Sequence, residues 1–361
     1  MKVIWKIALL FVILLGLFYL MDTRVKENKP LESPVKHGTA IPVPEKDLNS
    51  QVVGTERPDQ GLSVLVGQST ATLLKKYGDP DRIEPSAYGY DWWIYGNELH
   101  FMAGVSGDLV NQVFSSDHLA NVLPFSIGQD VNEVYRSTII ESEVDVQLGS
   151  NLYMFSLKSE DIANRALVKF MGLYAQIYVD EEDGIIEGIR FIDPETLVIH
   201  QPYDMEYSGE MIRVQPPSAA MQIEVDRAME RQVFELTNEY RKNHGLTELK
   251  NDYWLGILAR EHSKDMALEN YFSNESPSTG TLGDRLKSSD ISHRKAGENI
   301  AFNYVDAIEA VHGWLNSSAH RQVLLGEDFT HLGTGVYGKY YTQDFIQTDS
   351  KKIESLNWNV E

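Results

Sequence analysis

Histidine and carboxylate side chains are concentrated in the C-terminal third of the sequence. Five histidines lie between residues 262 and 331, with acidic residues between them: His262, His293, His312, His320 and His331. Imidazole nitrogens and carboxylate oxygens bind divalent metal ions, and the same groups transfer protons near neutral pH. A cleft with two acids and two histidines could therefore hold a metal ion or act as an acid–base set.

Other chemistries are excluded by the sequence. The chain has no cysteine, so it can form no disulfide, thiolate zinc site or cysteine nucleophile. It contains no His-Glu-x-x-His helix and no Gly-x-Ser-x-Gly elbow. Ser263 follows His262 directly, but adjacent helical residues point about 100° apart. These two side chains therefore do not form a nucleophile–base pair.

Length and charge limit the architecture and the partners. The 361 residues, 42% of them hydrophobic, suit roughly two domains of ordinary size. The formal net charge is -21. Because such a surface repels phosphate backbones, we do not expect nucleic acid to be a partner.

The N-terminus predicts a membrane anchor. Lys2 and Lys6 precede the apolar run from Ile7 to Met21, which approaches the roughly 20 residues of a membrane span if Lys6 snorkels. The run ends without the small residues of a signal-peptidase site. Residues 1–21 are predicted to be an uncleaved, single-pass transmembrane helix with the following domains extracellular, and secretion after signal cleavage is the alternative.

Two segments are predicted to lie outside folded domains. Residues 22–60 are polar and include five prolines: Pro30, Pro34, Pro42, Pro44 and Pro58. This composition predicts a disordered linker that separates the folded parts from the membrane. Residues 349–361 are predicted to be a C-terminal tail.

A degenerate internal repeat occupies residues 61–200. Val66-Gly67-Gln68 opens one unit and Ile127-Gly128-Gln129 opens the other, with Ser69 and Asp130 as candidate helix N-caps. Strand-like runs follow each helix, and Asp183-Gly184 is a hairpin turn signal. The pattern predicts an α+β module of two helix-plus-antiparallel-sheet repeats. Residues 201–228 are predicted to link it to an amphipathic helix that begins near Met229.

Residues 229–348 resemble the CAP superfamily of cysteine-rich secretory and pathogenesis-related proteins. The order and spacing of several motifs carry the resemblance: Ala259–Ala267, Tyr271–Pro277, Ala296–Ala301, Asn316–Arg321, Phe329–Gly335 and Tyr341–Phe345. The resemblance implies an α-β-α sandwich with a mainly antiparallel sheet. The preceding module resembles one that accompanies CAP domains in membrane-anchored proteins of Gram-positive bacteria.

The family has a cleft tetrad of two histidines and two acids. Carried over by the motifs, the acids are Glu298 and Glu309 and one histidine is His320, while Asn274 stands at the other histidine position. An amide is a poor zinc ligand and cannot act as a base near neutral pH. The tetrad could still hold a divalent metal ion, and Mg²⁺ or Ca²⁺ would suffer less than Zn²⁺. Ala319 also departs from the family's Pro-Gly before the histidine.

The remaining histidines have structural and functional interpretations. His293 and His331 are possible substitutes for the missing tetrad histidine, although a loop position and a structural role respectively are favoured. His262 is predicted to be a packing residue. His312 could be a surface partner of Glu309 or simply solvated.

Three functions remain open from the sequence. We favour a binding module at the cell envelope that recognises another protein, a wall component or a lipid, with no enzymatic activity. A metal-dependent or unconventional peptidase or other hydrolase that uses Glu298, Glu309 and His320 is the alternative. A purely structural spacer would bind no ligand. The oligomeric state is not predicted.

Overall fold

The computed structural model describes residues 26–35, 38–40, 55–96 and 100–348, with residues 26–27 described by their backbone alone. The predicted anchor at 1–21 and the predicted tail at 349–361 lie outside these ranges. None of the helices in the described ranges is both long enough and apolar enough to cross a bilayer. The chain divides into two compact units. The first contains residues 244–303 and 317–361 with the N-terminal 32 residues, and the second contains 33–243 and 304–316.

The described strands and helices are numbered in chain order. The strands are β1 (Lys26–Glu27), β2 (Leu31–Glu32), β3 (Thr39–Ala40), β4 (Arg82–Pro85), β5 (Asp91–Tyr95), β6 (Phe101–Ser106), β7 (Leu109–Ser115), β8 (Glu143–Leu148), β9 (Asn151–Ser156), β10 (Arg165–Phe170), β11 (Leu173–Asp180), β12 (Ile185–Ile192), β13 (Asp204–Ser208), β14 (Lys250–Asn251), β15 (Lys295–Phe302), β16 (His331–Tyr337) and β17 (Tyr340–Gln347). The helices are α1 (Thr70–Tyr77), α2 (Val131–Ser137), α3 (Ser159–Asn164), α4 (Pro194–His200), α5 (Ala219–Asn243), α6 (Tyr253–Leu268), α7 (Leu282–Ser288), α8 (Ala307–Leu315) and α9 (Ser318–Leu324).

The first unit is built on one sheet whose described strands run in the order β1-β15-β17-β16-β14, with β2 also beside β15. The long strands β15, β17 and β16 are antiparallel neighbours, which confirms the predicted antiparallel core of the sheet. Helix α6 begins where the Asp252 carboxylate accepts a hydrogen bond from the Leu255 backbone N–H at 3.0 Å. The buried side chains of α6, among them Leu255, Ala259 and Met266, line the face that packs on this sheet.

Close packing of α6 on β16 depends on two glycines. A Cβ at Gly335 would lie 2.0 Å from the Arg260 backbone nitrogen, and one at Gly333 would lie 2.3 Å from the Leu255 carbonyl carbon. Neither position has room for a methyl group, because the obstructing atoms are helix backbone. The Gly-x-Gly alternation therefore fixes how closely the helix carrying His262 approaches the sheet.

The second unit contains a seven-stranded sheet, β10-β11-β12-β7-β6-β5-β4, and a four-stranded sheet, β3-β13-β9-β8. Its two repeats meet where β7 and β12 pair antiparallel. The Gly67 N–H donates to the Val110 carbonyl, and the Gly128 N–H donates to the Ile186 carbonyl, both at 2.7 Å. These equivalent bonds attach each repeat's opening motif to its own closing strand. The predicted repeat module is therefore confirmed.

The helix starts predicted in the repeats are also present. The Ser69 hydroxyl accepts a bond from the Thr72 N–H at 3.4 Å, and the Asp130 carboxylate accepts one from the Asn132 N–H at 2.7 Å. The Asp183-Gly184 turn joins β11 to β12 as predicted. Short-range polar signals were therefore sufficient to locate these elements.

The second unit extends beyond the predicted module at 61–200. Strand β13 lies in the predicted linker 201–228 and pairs with β9, and α5 starts at Ala219 rather than near Met229. Helices α5 and α8, both expected in the C-terminal domain, belong to this unit. Ion pairs explain the assignment: Arg231 on α5 lies 2.6 Å from Glu84 on β4, and Arg165 on β10 lies 3.1 Å from Glu309 on α8. No local pattern in the sequence reveals such long-range pairs.

Part of the predicted disordered linker 22–60 has regular structure. Strands β1 and β2 pair in parallel with β15 in the first unit, and β3 pairs in parallel with β13 in the second. The prediction failed here because prolines and polar residues do not prevent short strands from adding to an exposed sheet edge. The rest of this segment, apart from residues 28–30, 33–35, 38 and 55–60, lies outside the described residues.

We predict that Gly335→Ala will lower the free energy of unfolding by about 3 kcal/mol, because the new methyl group overlaps the backbone of α6. Urea denaturation will measure the change. Gly256→Ala, on the facing helix, is the matched control: its nearest non-local atom would be Thr334 O at 3.6 Å, so it should be neutral or stabilising by up to about 1 kcal/mol. Equal effects of the two changes would contradict the close-packing explanation.

Candidate functional site

Glu298, on β15, is fully buried and is paired with a guanidinium group. The Arg285 side chain on α7 donates from Nη2 to Glu298 Oε2. Its Nη1 donates to the backbone carbonyls of Asn274 at 2.9 Å and Gly280 at 3.0 Å. A capping box between Thr281 and Asp284 starts α7 and places Arg285 directly after it. The guanidinium group that compensates Glu298 is therefore held in position by backbone carbonyls.

Asp344 is a second buried carboxyl group at this position. It lies opposite Glu298 in the β15–β17 register, so the two carboxyl groups can form a hydrogen bond when one of them is protonated. Burial raises the pKa of Asp344 to about 6, while Arg285 and the bond to Glu298 oppose the rise. Burial also raises the pKa of Glu298, and Arg285 opposes it. Burial of two acids beside one guanidinium favours a proton on one of them, because a second uncompensated negative charge is costly to bury.

His262, on α6, is the imidazole nearest to this pair among the described contacts. Its Nε2 lies 3.9 Å from Glu298 Oε2, and its side chain is inaccessible to solvent. Burial, assisted by the charge of Arg285, lowers the pKa of His262 to about 3. The ring is therefore neutral near pH 7. His262 was predicted to be a packing residue, and it is buried as expected, but it also borders the acid pair.

His320, on α9, is held neutral as well. Its Nδ1 lies 2.7 Å from the Ser317 hydroxyl. Burial lowers the pKa of His320 to about 4. The Asn299 amide donates to the His320 backbone carbonyl at 3.2 Å, which ties α9 to β15.

Asn274, at the position of the missing tetrad histidine, is buried and bonded to the N-terminal segment. Its Nδ2 donates to the Asn28 backbone carbonyl at 2.6 Å. The Asn274 amide therefore binds the backbone of the N-terminal segment. The amide is suited to that task, because it always carries N–H groups whatever the pH.

Glu309, the other predicted tetrad acid, belongs to the second unit. It lies in the first turn of α8, whose N-cap is Asp306. The Arg165 guanidinium donates to Glu309 Oε2 at 3.1 Å, and the Gln176 amide donates to Oε1 at 3.4 Å. Burial raises the pKa of Glu309, while Arg165 opposes the rise. Through these contacts Glu309 connects α8 to strands β10 and β11 within the second unit.

The other histidines are engaged locally. His293 Nδ1 lies 3.1 Å from the Ile291 carbonyl in its own loop, and His331 Nδ1 lies 2.9 Å from the Thr330 hydroxyl. The expected surface position of His312 is wrong: the residue is 1% exposed, and its Nε2 lies 2.9 Å from both Asn164 O and Asn316 Nδ2. His312 is buried because α8 packs inside the second unit.

The described residues around Glu298 do not form a compact metal-binding group. No three histidine, aspartate or glutamate side chains around it bring ligand atoms within 4.8 Å of one another. The charge of Arg285 also disfavours a cation beside Glu298. The described donor groups around Glu298 therefore do not fit a zinc ion.

Sequence reasoning missed three residues that determine the chemistry: Arg285, Asp344 and Arg165. Asp344 lay within the Tyr341–Phe345 motif, but no spacing rule linked it or Arg285 to Glu298. The available signal was that both residues lie in segments predicted to be strands of one sheet, where Asp344 and Glu298 could face each other. Arg165 lies 144 residues from Glu309, so no sequence pattern could connect them.

Comparisons with known proteins agree with this architecture. Residues 66–203 match the CAP-associated N-terminal family, and residues 234–348 match the cysteine-rich secretory protein family. The chain is 41% identical over 318 residues to the "Uncharacterized membrane protein YlbC" of Bacillus subtilis (strain 168), covering 84% of this chain and 92% of the relative. It is also 44% identical over 121 residues to the "Uncharacterized protein YkwD" of the same organism, covering 33% of this chain and 47% of that protein.

Two crystal structures share the fold. One is an extracellular protein containing an SCP domain from Bacillus anthracis, with a TM-score of 0.76 and 37% identity, covering 85% of this chain and all of that one. The other is a cysteine-rich secretory protein from Staphylococcus aureus, with a TM-score of 0.77 and 24% identity, covering 90% of this chain and all of that one. The chain therefore belongs to the cysteine-rich secretory protein (CAP) family and carries a CAP-associated N-terminal domain ahead of its CAP domain.

Proposed function

We propose that this protein is a non-catalytic binding module, held on the outer face of the cell membrane by its N-terminal segment, that recognises a partner in the cell envelope. One observation carries the proposal: each of the two tetrad acids is paired with a buried arginine. Glu298 is bonded to Arg285, and Glu309 is bonded to Arg165. These acids serve the architecture of their own units.

The arginine pairs disfavour both metal binding and base catalysis. A guanidinium group remains charged at all physiological pH values, so it competes with a metal ion for the carboxylate it contacts. Removing one partner of a buried pair costs about 3–5 kcal/mol, because the other charge is left uncompensated. A reaction cycle that separated Glu298 from Arg285 would have to overcome a cost of this size.

Display outside the membrane is supported by two further observations. The apolar run at 7–21 follows two lysines and lacks a signal-cleavage pattern. A relative that spans most of the chain is named a membrane protein, and a structural neighbour is described as extracellular. The acidic composition also suits a domain that must not adhere to anionic lipid.

We predict that the chain, expressed with a tag at each end in a Gram-positive host, will stay in the membrane fraction with its N-terminal tag attached. Protease added to intact protoplasts should remove the C-terminal tag, because the folded units lie outside. Immunoblotting of both tags measures the result. A mature chain in the medium that has lost the N-terminal tag would show cleavage and contradict anchoring.

We predict that calorimetric titration of the full chain with zinc will reveal no micromolar site that depends on His320. The charge of Arg285 and the spacing of the acidic and imidazole groups give no suitable ligand set around Glu298. His320→Ala is the matched control and should give the same titration curve as the wild type. Micromolar binding that is lost in His320→Ala would restore the metal site and weaken the proposal.

A hydrolase remains the second candidate because of one observation: the buried carboxyl groups of Glu298 and Asp344 lie opposite each other on paired strands. Such pairs can act as an acid–base set. Here both side chains are fully buried and Glu298 is bonded to Arg285, which disfavours contact with a substrate. A hydrolytic activity lost in a correctly folded Glu298→Gln variant would favour this alternative.

We predict that Asp344→Asn will reduce the pH dependence of stability. Because the folded-state pKa is raised to about 6, the neutral carboxyl stabilises the folded state below its unfolded pKa of 3.8. This contribution is lost as the pH rises to about 6. The free energy of unfolding of the variant relative to wild type should therefore rise by on the order of 2 kcal/mol between about pH 4 and pH 7.

Urea denaturation across this pH range measures the difference. Asp328→Asn is the control, because its side chain is 59% exposed and lies outside the carboxyl pair. The control curve should run parallel to the wild type. A parallel curve for Asp344→Asn as well would show that the buried pair holds no shared proton.

A further inference from the structure

The edge of β15 is covered by the chain's own N-terminal segment. Residues 26–32, here called the tether strand, run parallel to β15 on the side opposite β17. The tether strand and β15 belong to the same compact unit. The tether strand lies outside the residues that match the CAP family, and it pairs in parallel with the strand that carries Glu298. This arrangement is a strand addition to a sheet edge.

The pairing has a bulge at its centre. Glu27 lies opposite Glu298 and Leu31 lies opposite Ala301. Three tether residues, 28–30, therefore face only the two residues 299–300 of β15. Pro30 sits in this bulge, where its missing N–H leaves no ladder bond unmade.

Side chains of the CAP domain recognise the bulge. The Asn28 amide donates to Asn299 Oδ1 at 2.9 Å and to the Glu298 backbone carbonyl at 3.4 Å. The Asn274 amide donates to the Asn28 carbonyl at 2.6 Å. Asn28 is thus read through both its side chain and its main chain.

The tether strand lies on the surface of the sheet edge. Lys29, Pro30 and Glu32 are exposed, and Asn28 and Leu31 are half-buried. Little apolar area is therefore lost from the core if this strand leaves. In contrast, the groups that receive it are buried: Asn274 is 5% exposed, and Asn299 is fully buried. A rigid, buried receptor and an exposed occupant are the properties of a binding site with an exchangeable ligand.

We propose that the β15 edge, with Asn274 and Asn299, is a binding site for an extended Asn-x-Pro peptide segment of another protein, and that the tether strand is its intramolecular occupant. The inference rests on the proposed function and deepens it, since it names the ligand class of the binding module. Main-chain pairing and the Asn274 bond to the Asn28 carbonyl supply affinity, and Asn299 Oδ1 selects an asparagine at the first position of the bulge. The membrane-proximal segment thereby regulates access to the site.

Competition by the tether strand sets the expected affinities. We expect the intramolecular tether strand to have an effective concentration on the order of millimolar. If the peptide binds the vacant site with a dissociation constant on the order of 100 μM, the resident strand weakens binding of the same peptide in trans about tenfold. The wild-type chain should therefore bind a free peptide poorly and a chain with a vacated edge should bind it well.

The test uses the full chain in detergent and a fluorescent synthetic peptide with the sequence of residues 24–33. One variant replaces residues 26–32 with an equal length of glycine and serine, and the milder Asn28→Ala variant partly vacates the site with a single change. Fluorescence anisotropy should show binding about tenfold tighter than to wild type for the first variant and about fivefold tighter for Asn28→Ala. Adding Asn274→Ala to either variant should weaken peptide binding about tenfold.

Two controls make the result specific. A peptide carrying Asn28→Ala should bind the vacated chains about tenfold more weakly than the native peptide. Asn132→Ala, which changes an exposed asparagine of the second unit, should leave peptide affinity unchanged. Equal binding of the native peptide to wild type and to both vacated chains would overturn the inference, as would no binding to any of them.

Mass spectrometry of the incubated peptide separates this inference from the proposed function. An intact peptide that binds the vacated chains supports both. An intact peptide that does not bind overturns the inference and leaves a non-catalytic module that recognises something else. A cleaved peptide would overturn the non-catalytic function while supporting peptide recognition at this edge.

Discussion

The requirement that every buried carboxylate be compensated governs this structure. Glu298 and Asp344 are fully buried in the first unit and depend on Arg285, and Glu309 is buried in the second unit and depends on Arg165. The free-energy cost of an unpaired buried charge is larger than most single packing contributions. Each arginine therefore fixes the elements around it: Arg285 joins α7 to β15, and Arg165 joins β10 to α8.

This constraint explains which features could be predicted from the sequence. Local polar signals placed the caps at Ser69 and Asp130 and the turn at Asp183-Gly184, because their hydrogen bonds span only a few residues. The CAP motifs located Glu298, Asn274 and His320 in one unit. The pairing of Glu309 with Arg165 was not predictable, since it joins residues far apart in sequence that are adjacent only after the sheet has formed. The same limitation hid the membership of α5 and α8 in the second unit.

Composition misled the prediction for the N-terminal segment in an informative way. Prolines and charged residues reduce the tendency of a chain to fold alone, but the tether strand needs no core of its own. It forms backbone hydrogen bonds with the edge of β15. Pro30 lies in the bulge, where the pairing between the tether strand and β15 is interrupted. An isolated sequence window contains no information about an edge that is assembled more than 260 residues later.

The substitution of asparagine for histidine at position 274 is consistent with this arrangement. A histidine at this position would offer a donor whose state depends on pH and tautomer. The asparagine amide supplies a permanent donor to the Asn28 carbonyl, while its own backbone carbonyl accepts a bond from Arg285. One residue thus connects the arginine that compensates Glu298 to the strand that covers β15. The amide at position 274 therefore serves main-chain recognition in this chain.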